Sequence, residues 1–244
     1  MVWKVVRGIY SFIAVLIICV LIFIWFFILS TIPLIGLSNT PVESFSIRLW
    51  NRAVFRLFFA KLSVKGLEGY DPKKPCIIIS NHQSLVDIPT VYEVFSGPVK
   101  MLGKAELFKI PFFGWALTAA GLIPVDRGNR EAATKTIELT KKRLSEGVQI
   151  WMAPEGTRSV DGKLGAFKGG AFRMAADLNL PIVGLVLNGT KDVLRKKSFL
   201  VNPFQQINAV VLPAVSMADV GAIDYKQFRN YFKAKFEETL ADIS

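Results

Sequence analysis

The N-terminal part of the sequence contains 30 consecutive residues, 8–37, without a charged side chain. Nearly every residue of Ile9–Leu29 within this run is aliphatic or aromatic. A helix of about 22 residues rises roughly 33 Å, which is enough to cross the hydrocarbon core of a bilayer. A cleaved signal peptide is the alternative, but residues 30–33 match a cleavage site poorly. We therefore expect a membrane-inserted helix that is terminated by Pro33, Gly36 and Pro41.

The next segment, Val42–Leu62, predicts an amphipathic helix with a cationic stripe. Arg48, Arg52 and Arg56 recur at every fourth position. Wide apolar cover comes from Phe45, Leu49, Trp50, Val54, Leu57, Phe58 and Phe59. This composition suits a helix that lies among the headgroups of an anionic leaflet. A surface helix packed on its own domain is the alternative.

Basic residues flank the apolar run on both sides. Lys4 and Arg7 precede it, and the larger group, the three arginines of the second segment, follows it and is expected to face the cytoplasm. The pattern permits a spanning helix and also a helical hairpin that enters one leaflet and returns. Residues 1–62 are therefore predicted to anchor the chain, and residues 63–244 to form a separate domain on the cytoplasmic side of the membrane.

Composition excludes several classes of protein. The 244 residues are 52% hydrophobic with a mean hydropathy of +0.40, which excludes a disordered chain. The single histidine excludes a two-histidine metal site, and Cys19 and Cys76 suggest no disulfide framework. The 30 basic and 19 acidic residues give a net charge of +11. Because the basic residues are scattered over several elements, this charge does not indicate a nucleic-acid partner.

After Lys61, short apolar strands alternate with helical segments. This alternation predicts an α/β fold, a sandwich of helices around a mixed, mainly parallel sheet. In such folds, functional residues collect where strands end and helices begin. The predicted strands are Cys76–Ile79, Val99–Leu102, Leu122–Val125, Val148–Met152, Ile182–Leu187 and Ala209–Leu212. The predicted helices are Leu85–Phe95, Phe113–Ala120, Arg130–Leu144, Lys168–Leu178 and Tyr225–Leu240.

The only histidine, His82, stands at the exit of a predicted strand, five residues before Asp87. On a regular helix these two side chains would point about 140° apart. They can meet if His82 lies in the turn that precedes the helix. The carboxylate would then hold one imidazole N–H and leave the other nitrogen free as a base. A helix cap or a core histidine is the alternative.

Cations follow three other strand ends. The strand 121–125 leads to Arg127, the strand 148–152 leads to a Pro-Glu-Gly-Thr turn before Arg158, and Lys104 follows the strand that begins at Val99. Guanidinium groups and glycine turns suit phosphate oxygens. The alternative is that these cations form structural ion pairs with Asp126, Glu106 and Glu155. No Gly-x-Ser-x-Gly or nucleotide-binding glycine motif accompanies them, which disfavours a serine hydrolase and a nucleotide enzyme.

These motifs resemble those of the glycerolipid acyltransferases, in particular the bacterial 1-acyl-glycerol-3-phosphate acyltransferases. The resemblance covers about Cys76–Leu187, and Ala153 stands where that family usually has Phe. Four blocks carry it: Asn81-His82-Gln83-Ser84-x-x-Asp87, Gly121-x-Ile123-Pro124-Val125-Asp126-Arg127, Pro154-Glu155-Gly156-Thr157-Arg158-Ser159 and Leu180-Pro181-Ile182-Val183.

The resemblance implies acyl transfer from a thioester to the sn-2 hydroxyl of lysophosphatidate, with residues 63–244 as the catalytic domain on the cytoplasmic face of the inner membrane. It implies that His82 is the general base and that Asp87 orients it. It assigns Arg127 and Arg158 to the acceptor phosphate, with Lys104 as a further contact. Around them, the turn formed by Glu155, Gly156 and Thr157 belongs to the acceptor site and is our candidate for the oxyanion hole.

The expected donor is acyl-acyl carrier protein or acyl-CoA, and the expected reaction requires neither a metal nor a cofactor. Two alternatives stay open at this point. Glycerol-3-phosphate or another lysophospholipid is a different acceptor for the same chemistry. A catalytically silent membrane lipid-binding module is the alternative from another class.

Overall fold

The computed structural model of this protein describes residues 2–31, 40–111, 113–125 and 130–243. Two helices come first, α1 (Val2–Thr31) and α2 (Thr40–Phe58). Pro33 and Gly36 lie outside the described residues. Pro41 does not precede the second helix but lies in its first turn, where the fixed φ of proline is tolerated.

Seven strands form one sheet in the order β1-β7-β6-β2-β5-β3-β4. The β6–β7 pair is antiparallel and the other five neighbouring pairs are parallel, so the predicted mixed, mainly parallel sheet is confirmed. The strands are β1 (Lys61–Lys65), β2 (Ile77–Ser80), β3 (Val99–Lys104), β4 (Ile123–Val125), β5 (Gln149–Met152), β6 (Ile182–Asn188) and β7 (Gln206–Val211).

Helices lie against both faces of this sheet. Alternate residues of the buried strands point to opposite faces, so Ile78 packs in the cluster that includes residues of α3, whereas Ile77 packs with α6 and α8. The helices are α3 (Asp87–Val94), α4 (Phe113–Ala119), α5 (Arg130–Ser145), α6 (Gly170–Leu178), α7 (Thr190–Val193) and α8 (Tyr225–Ile243).

The second helix ends at Phe58, four residues before its predicted end. Phe59 adopts a left-handed conformation with φ 48°, which stops the helix, and the Lys61 N–H then donates to the Gln205 carbonyl at 2.9 Å. Residues 61–65 continue as β1, which pairs with β7. This strand was not predicted from the sequence, because its start continues the apolar pattern of the preceding helix.

One described helix is long and apolar enough to cross a membrane, Trp3–Ile22 within α1, with a mean hydropathy of 2.6. One side of this helix packs on the globular part. Ala14 is buried in a cluster with Val54 and Phe58 of α2 and with Val201. The rest of the helix surface is exposed and apolar, and it presents Val5, Val6, Ile9, Phe12, Ile13, Leu16, Ile17 and Val20.

Candidate active site

His82 lies two residues beyond β2, in the loop that leads into α3. The loop curls back, and Nδ1 of His82 lies 2.6 Å from Oδ2 of Asp87, the first residue of α3. The structure therefore brings together the two residues that helical geometry would have held apart. The His82 side chain is 20% exposed, and its Nε2 has no hydrogen-bond partner among the described residues.

Asp87 is fully buried and organises the loop around it. Its Oδ2 also accepts the main-chain N–H groups of Gln83 at 2.7 Å and Ser84 at 2.9 Å. Its Oδ1 has no hydrogen-bond partner in the described part of the chain. Three N–H donors and the helix N-terminus stabilise the ionised carboxylate, which fixes the orientation of the imidazole.

The other polar residues of this loop have structural contacts. The side-chain amide of Asn81 exchanges two 2.8 Å hydrogen bonds with the main chain of Leu187 on β6. The hydroxyl of Ser84 donates to the Leu194 carbonyl at 2.6 Å, and that of Ser80 accepts from the Trp151 indole at 3.0 Å. Neither hydroxyl is therefore hydrogen-bonded to His82 as an activated nucleophile would be.

Glu155, in the loop after β5, is buried and holds the main chain around His82. Its Oε1 accepts the His82 N–H at 2.8 Å, and its Oε2 accepts the Gly165 N–H at 2.8 Å. Burial raises the pKa of this carboxyl, although the two N–H groups partly offset the effect. The Ser159 N–H donates to the His82 carbonyl at 2.7 Å. The main-chain N–H and carbonyl of His82 are thus both hydrogen-bonded to this loop.

The turn that the sequence analysis proposed as an oxyanion hole is tightly folded. Gly156 has φ 72°, a left-handed conformation that favours glycine, and its N–H donates to the Ala153 carbonyl at 3.0 Å. This N–H is therefore engaged within the turn. The N–H of Thr157, in contrast, has no acceptor among the described residues.

The predicted cations differ in their surroundings. Lys104, at the end of β3, pairs with Glu106 at 3.3 Å, and both side chains are largely exposed. Arg158 is half-buried, and no carboxylate of the described residues lies within 4.0 Å of its guanidinium. Arg127 and Asp126 lie outside the described residues.

Topology brings these positions to one edge of the sheet. The strands β2, β5, β3 and β4 are parallel neighbours, so His82, Arg158 and Lys104 all follow carboxyl ends at the same edge, where the carboxyl end of β4 also lies. Neighbouring strands are about 4.8 Å apart, which puts the end of β3 roughly 10 Å from that of β2. The described residues bring no three His, Cys, Asp or Glu side chains together as metal ligands.

Sequence reasoning missed one cation at this edge, Lys196. Its ammonium donates to the Thr157 hydroxyl at 3.3 Å and to the Arg158 carbonyl. A signal was available, because β6 is parallel to β2 and its carboxyl end therefore lies at the same edge. Lys196 comes eight residues after that end, beyond the reach of a rule that considers only the first residues after a strand.

Comparison with known proteins agrees with this architecture. The sequence model of a protein family described as Acyltransferase matches residues 61–188. A chloroplastic 1-acyl-sn-glycerol-3-phosphate acyltransferase of Brassica napus is 34% identical over 151 residues, 62% of this chain and 43% of that protein. The human 1-acyl-sn-glycerol-3-phosphate acyltransferase alpha is 32% identical over 71% of this chain and 62% of its own length. The mouse alpha protein is 31% identical over 79% of this chain and 68% of its own length.

The chain thus spans 43% of the length of the Brassica protein and 62% of that of the human one.

A solved structure also matches nearly the whole chain. The crystal structure of the 1-acyl-sn-glycerophosphate acyltransferase PlsC from Thermotoga maritima superposes with a TM-score of 0.69 over 97% of both chains. The two sequences are 22% identical, so this match shows a common fold.

Proposed function

Because this chain belongs to the Acyltransferase family, we propose that it transfers a fatty acyl group from an acyl thioester to the sn-2 hydroxyl of 1-acyl-glycerol-3-phosphate, which gives phosphatidate. The observation that carries this proposal is the 2.6 Å contact between His82 Nδ1 and Asp87 Oδ2, with Nε2 left unbonded by the described residues. The relatives named as 1-acyl-sn-glycerol-3-phosphate acyltransferases support the choice of acceptor.

In the proposed mechanism, His82 is the general base. Asp87 accepts a hydrogen bond from the Nδ1–H group, which leaves the lone pair of the imidazole on Nε2. A glycerol hydroxyl is a poor nucleophile at neutral pH, and transfer of its proton to Nε2 lets the oxygen attack the thioester carbonyl. General-base assistance of this kind accelerates a reaction typically 10²- to 10⁴-fold.

The step balances without any further reactant. The hydroxyl oxygen forms a bond to the thioester carbon, and the proton moves to His82. The tetrahedral oxyanion then collapses, the carbon–sulfur bond breaks, and the thiolate takes the proton from the imidazolium. The products are an ester and a thiol, and no covalent enzyme intermediate is required.

We further assign the surrounding residues to binding and stabilisation. Arg158, with Arg127 and Lys104, binds the acceptor phosphate, which supplies the positioning that makes the hydroxyl attack efficient. The N–H of Thr157 is the donor that we assign to the oxyanion, because the N–H of Gly156 is engaged with Ala153. The donor is acyl-acyl carrier protein or acyl-CoA, and the net charge of +11 suits these anionic molecules.

We also propose that residues 1–62 anchor the enzyme and that residues 63–244 carry the chemistry on the cytoplasmic face of the inner membrane. The exposed apolar side of α1 supports the anchor. Phe199 and Leu200 are also exposed and apolar. They lie close to α1, because the next residue, Val201, is hydrogen-bonded to Ser11 of that helix. The two free cysteines are consistent with a reducing compartment.

The test is acyl transfer to lysophosphatidate by the full chain in detergent, with both donors. His82→Ala and Asp87→Asn are each expected to reduce the rate at least a hundredfold, the first because it removes the base and the second because the amide cannot hold the required tautomer. Glu93→Gln is the matched control, since Glu93 is an exposed carboxylate on the same helix as Asp87. Folded wild-type protein that makes no phosphatidate, or full activity in folded His82→Ala, would refute the proposal.

A further inference from the structure

Lys196 belongs to a loop that is fixed beside the candidate active site. Leu194 and Val201 pair as an antiparallel bridge at the base of the loop, and the Leu194 carbonyl accepts the Ser84 hydroxyl at 2.6 Å. Ser84 is two residues from His82. The position of Lys196 therefore follows from the same main-chain framework that holds His82.

The ammonium of Lys196 has neutral partners only. It donates to the Thr157 hydroxyl at 3.3 Å and to the Arg158 carbonyl. No carboxylate of the described residues lies within 4.0 Å of Lys196 or of the Arg158 guanidinium. The two acidic residues of the loop after β5 have other partners: Glu155 accepts two main-chain N–H groups, and Asp161 accepts from Ser159 and Lys163.

The Lys196 ammonium is bound to the main chain of Arg158, and neither of these cations has a carboxylate partner among the described residues, so an anion with several oxygens can neutralise both. We propose that Lys196 binds the phosphate monoester of the acceptor lipid together with Arg158. This proposal rests on the proposed function and adds to it a phosphate ligand that none of the sequence motifs contains. The phosphate is the group that suits two cations best, since it carries up to two negative charges.

The position of the Arg158 turn relative to His82 also fits this assignment. The Ser159 N–H is bonded to the His82 carbonyl at 2.7 Å, so the turn that carries Arg158 directly adjoins His82. In lysophosphatidate only three atoms separate the sn-2 oxygen from the phosphorus, which requires the phosphate site to be close to the base. Lys104 follows a strand two positions away from β2 and pairs with Glu106, so Lys196 is better placed.

The kinetic test compares Lys196→Gln, Lys196→Arg and the control Lys197→Gln. Lys197 is the exposed neighbour on the same loop. At saturating donor, Lys196→Gln is expected to raise the KM for lysophosphatidate about ten- to a hundredfold, because it loses a charge-assisted contact. The KM for the donor and kcat are expected to change less than about threefold. Lys196→Arg keeps the charge and is expected to stay close to wild type, as is Lys197→Gln.

A binding measurement without turnover separates this proposal from the proposed function. An excess of glycerol-3-phosphate is expected to raise the Tm of the wild type and of Lys197→Gln, but not that of Lys196→Gln. If the wild type fails to acylate lysophosphatidate but shows this Lys196-dependent shift, the reaction is wrong and the phosphate site stands. If acyl transfer occurs and Lys196→Gln has an unchanged acceptor KM, the phosphate site is wrong and the reaction stands.

Three further outcomes would also overturn the phosphate assignment. A rise in the donor KM alone would mean that Lys196 contacts a phosphate of the donor. A fall in kcat and in the ligand-free Tm, with the acceptor KM unchanged, would mean that Lys196 only fastens the loop to Thr157 and Arg158. The phosphate assignment would also be wrong if glycerol-3-phosphate did not raise the Tm of the wild type and the acceptor KM of Lys196→Gln were unchanged.

Discussion

Glu155 shows how a charged residue of a motif can act through the main chain. Its two carboxylate oxygens accept the N–H groups of His82 and Gly165, and a Cβ at position 165 would lie 2.7 Å from Oε2. A carboxylate with both oxygens bound in this way is poorly suited to contact a phosphate, which carries the same sign of charge. We therefore interpret Glu155 as a residue that positions His82, whereas the family resemblance places it in the acceptor site.

This interpretation predicts a specific kinetic change for Glu155→Ala. Loss of the carboxylate leaves two main-chain N–H groups without their acceptor, so the loop that carries His82 loses its fixed position. We expect kcat to fall about ten- to a hundredfold, while the acceptor KM changes less than about threefold. Glu155→Gln is expected to be intermediate, because its amide oxygen can still accept the His82 N–H.

Steady-state kinetics with lysophosphatidate as the varied substrate measure this division between kcat and KM. Glu93→Ala, which removes an exposed carboxylate from α3, serves as the control and is expected to resemble wild type. A large rise in KM with an unchanged kcat in Glu155→Ala would instead indicate that the carboxylate belongs to the acceptor site.

At the scale of elements, α1 is docked to the globular part by a small number of polar contacts. Ser11, which is 1% exposed, accepts the Val201 N–H at 2.9 Å, and Arg7 Nε donates to the Val201 carbonyl at 3.0 Å. The Tyr10 hydroxyl donates to the Leu57 carbonyl at the end of α2. These bonds satisfy main-chain groups that the packing of α1 removes from solvent.

Ser11→Ala is therefore expected to destabilise the docked arrangement. The Val201 N–H would stay buried without an acceptor, which costs about 1–3 kcal/mol, or a Tm lower by roughly 2–12 °C. Thermal unfolding in detergent, followed by near-ultraviolet circular dichroism, measures the change. Ser145→Ala is the matched control, because the Ser145 hydroxyl is exposed and donates only to a carbonyl of its own helix, at 2.8 Å. An equal Tm in both variants would mean that the Ser11 contact does not hold α1 in place.

The elements that sequence patterns predicted well are those with a local signal. The apolar run that forms β2 and the spacing of His82 and Asp87 can be read within a dozen residues. The strand β1 has no such signal, since it exists only because residues 206–211 pair with it from far along the chain. The contacts of Lys196 and the two hydrogen bonds of Glu155 likewise depend on segments that only the folded sheet brings together.

At the scale of the whole molecule, the packing of α1 bears on how the anchor enters the bilayer. Its first half lies lengthwise against the globular part through Arg7, Ser11 and Ala14. A helix that crossed the bilayer along the membrane normal would carry the adjoining loop of residues 195–204, with its three basic side chains, into the hydrocarbon core. An orientation nearly parallel to the surface avoids this cost and leaves the apolar side of α1 in one leaflet.

This reasoning predicts that the N-terminus of α1 and the globular part lie on the same side of the membrane. Single cysteines in place of Lys4 and of Lys65, both exposed, report the two positions in a Cys19→Ala background. Cys76 does not interfere, because it is buried and burial raises the pKa of its thiol to about 12. A membrane-impermeant maleimide added to sealed vesicles is expected to label both positions or neither, depending on the orientation of the vesicle.

Detergent-solubilised samples supply the control, since both positions must react once no membrane protects them. If only one of the two positions reacts in sealed vesicles and both react in detergent, α1 crosses the bilayer. The globular part would then have to separate from the first half of α1 in the membrane, and the Ser11–Val201 contact would belong only to the protein outside a bilayer. The pattern of maleimide labelling in sealed vesicles therefore tests the docked arrangement of α1 as well as its orientation.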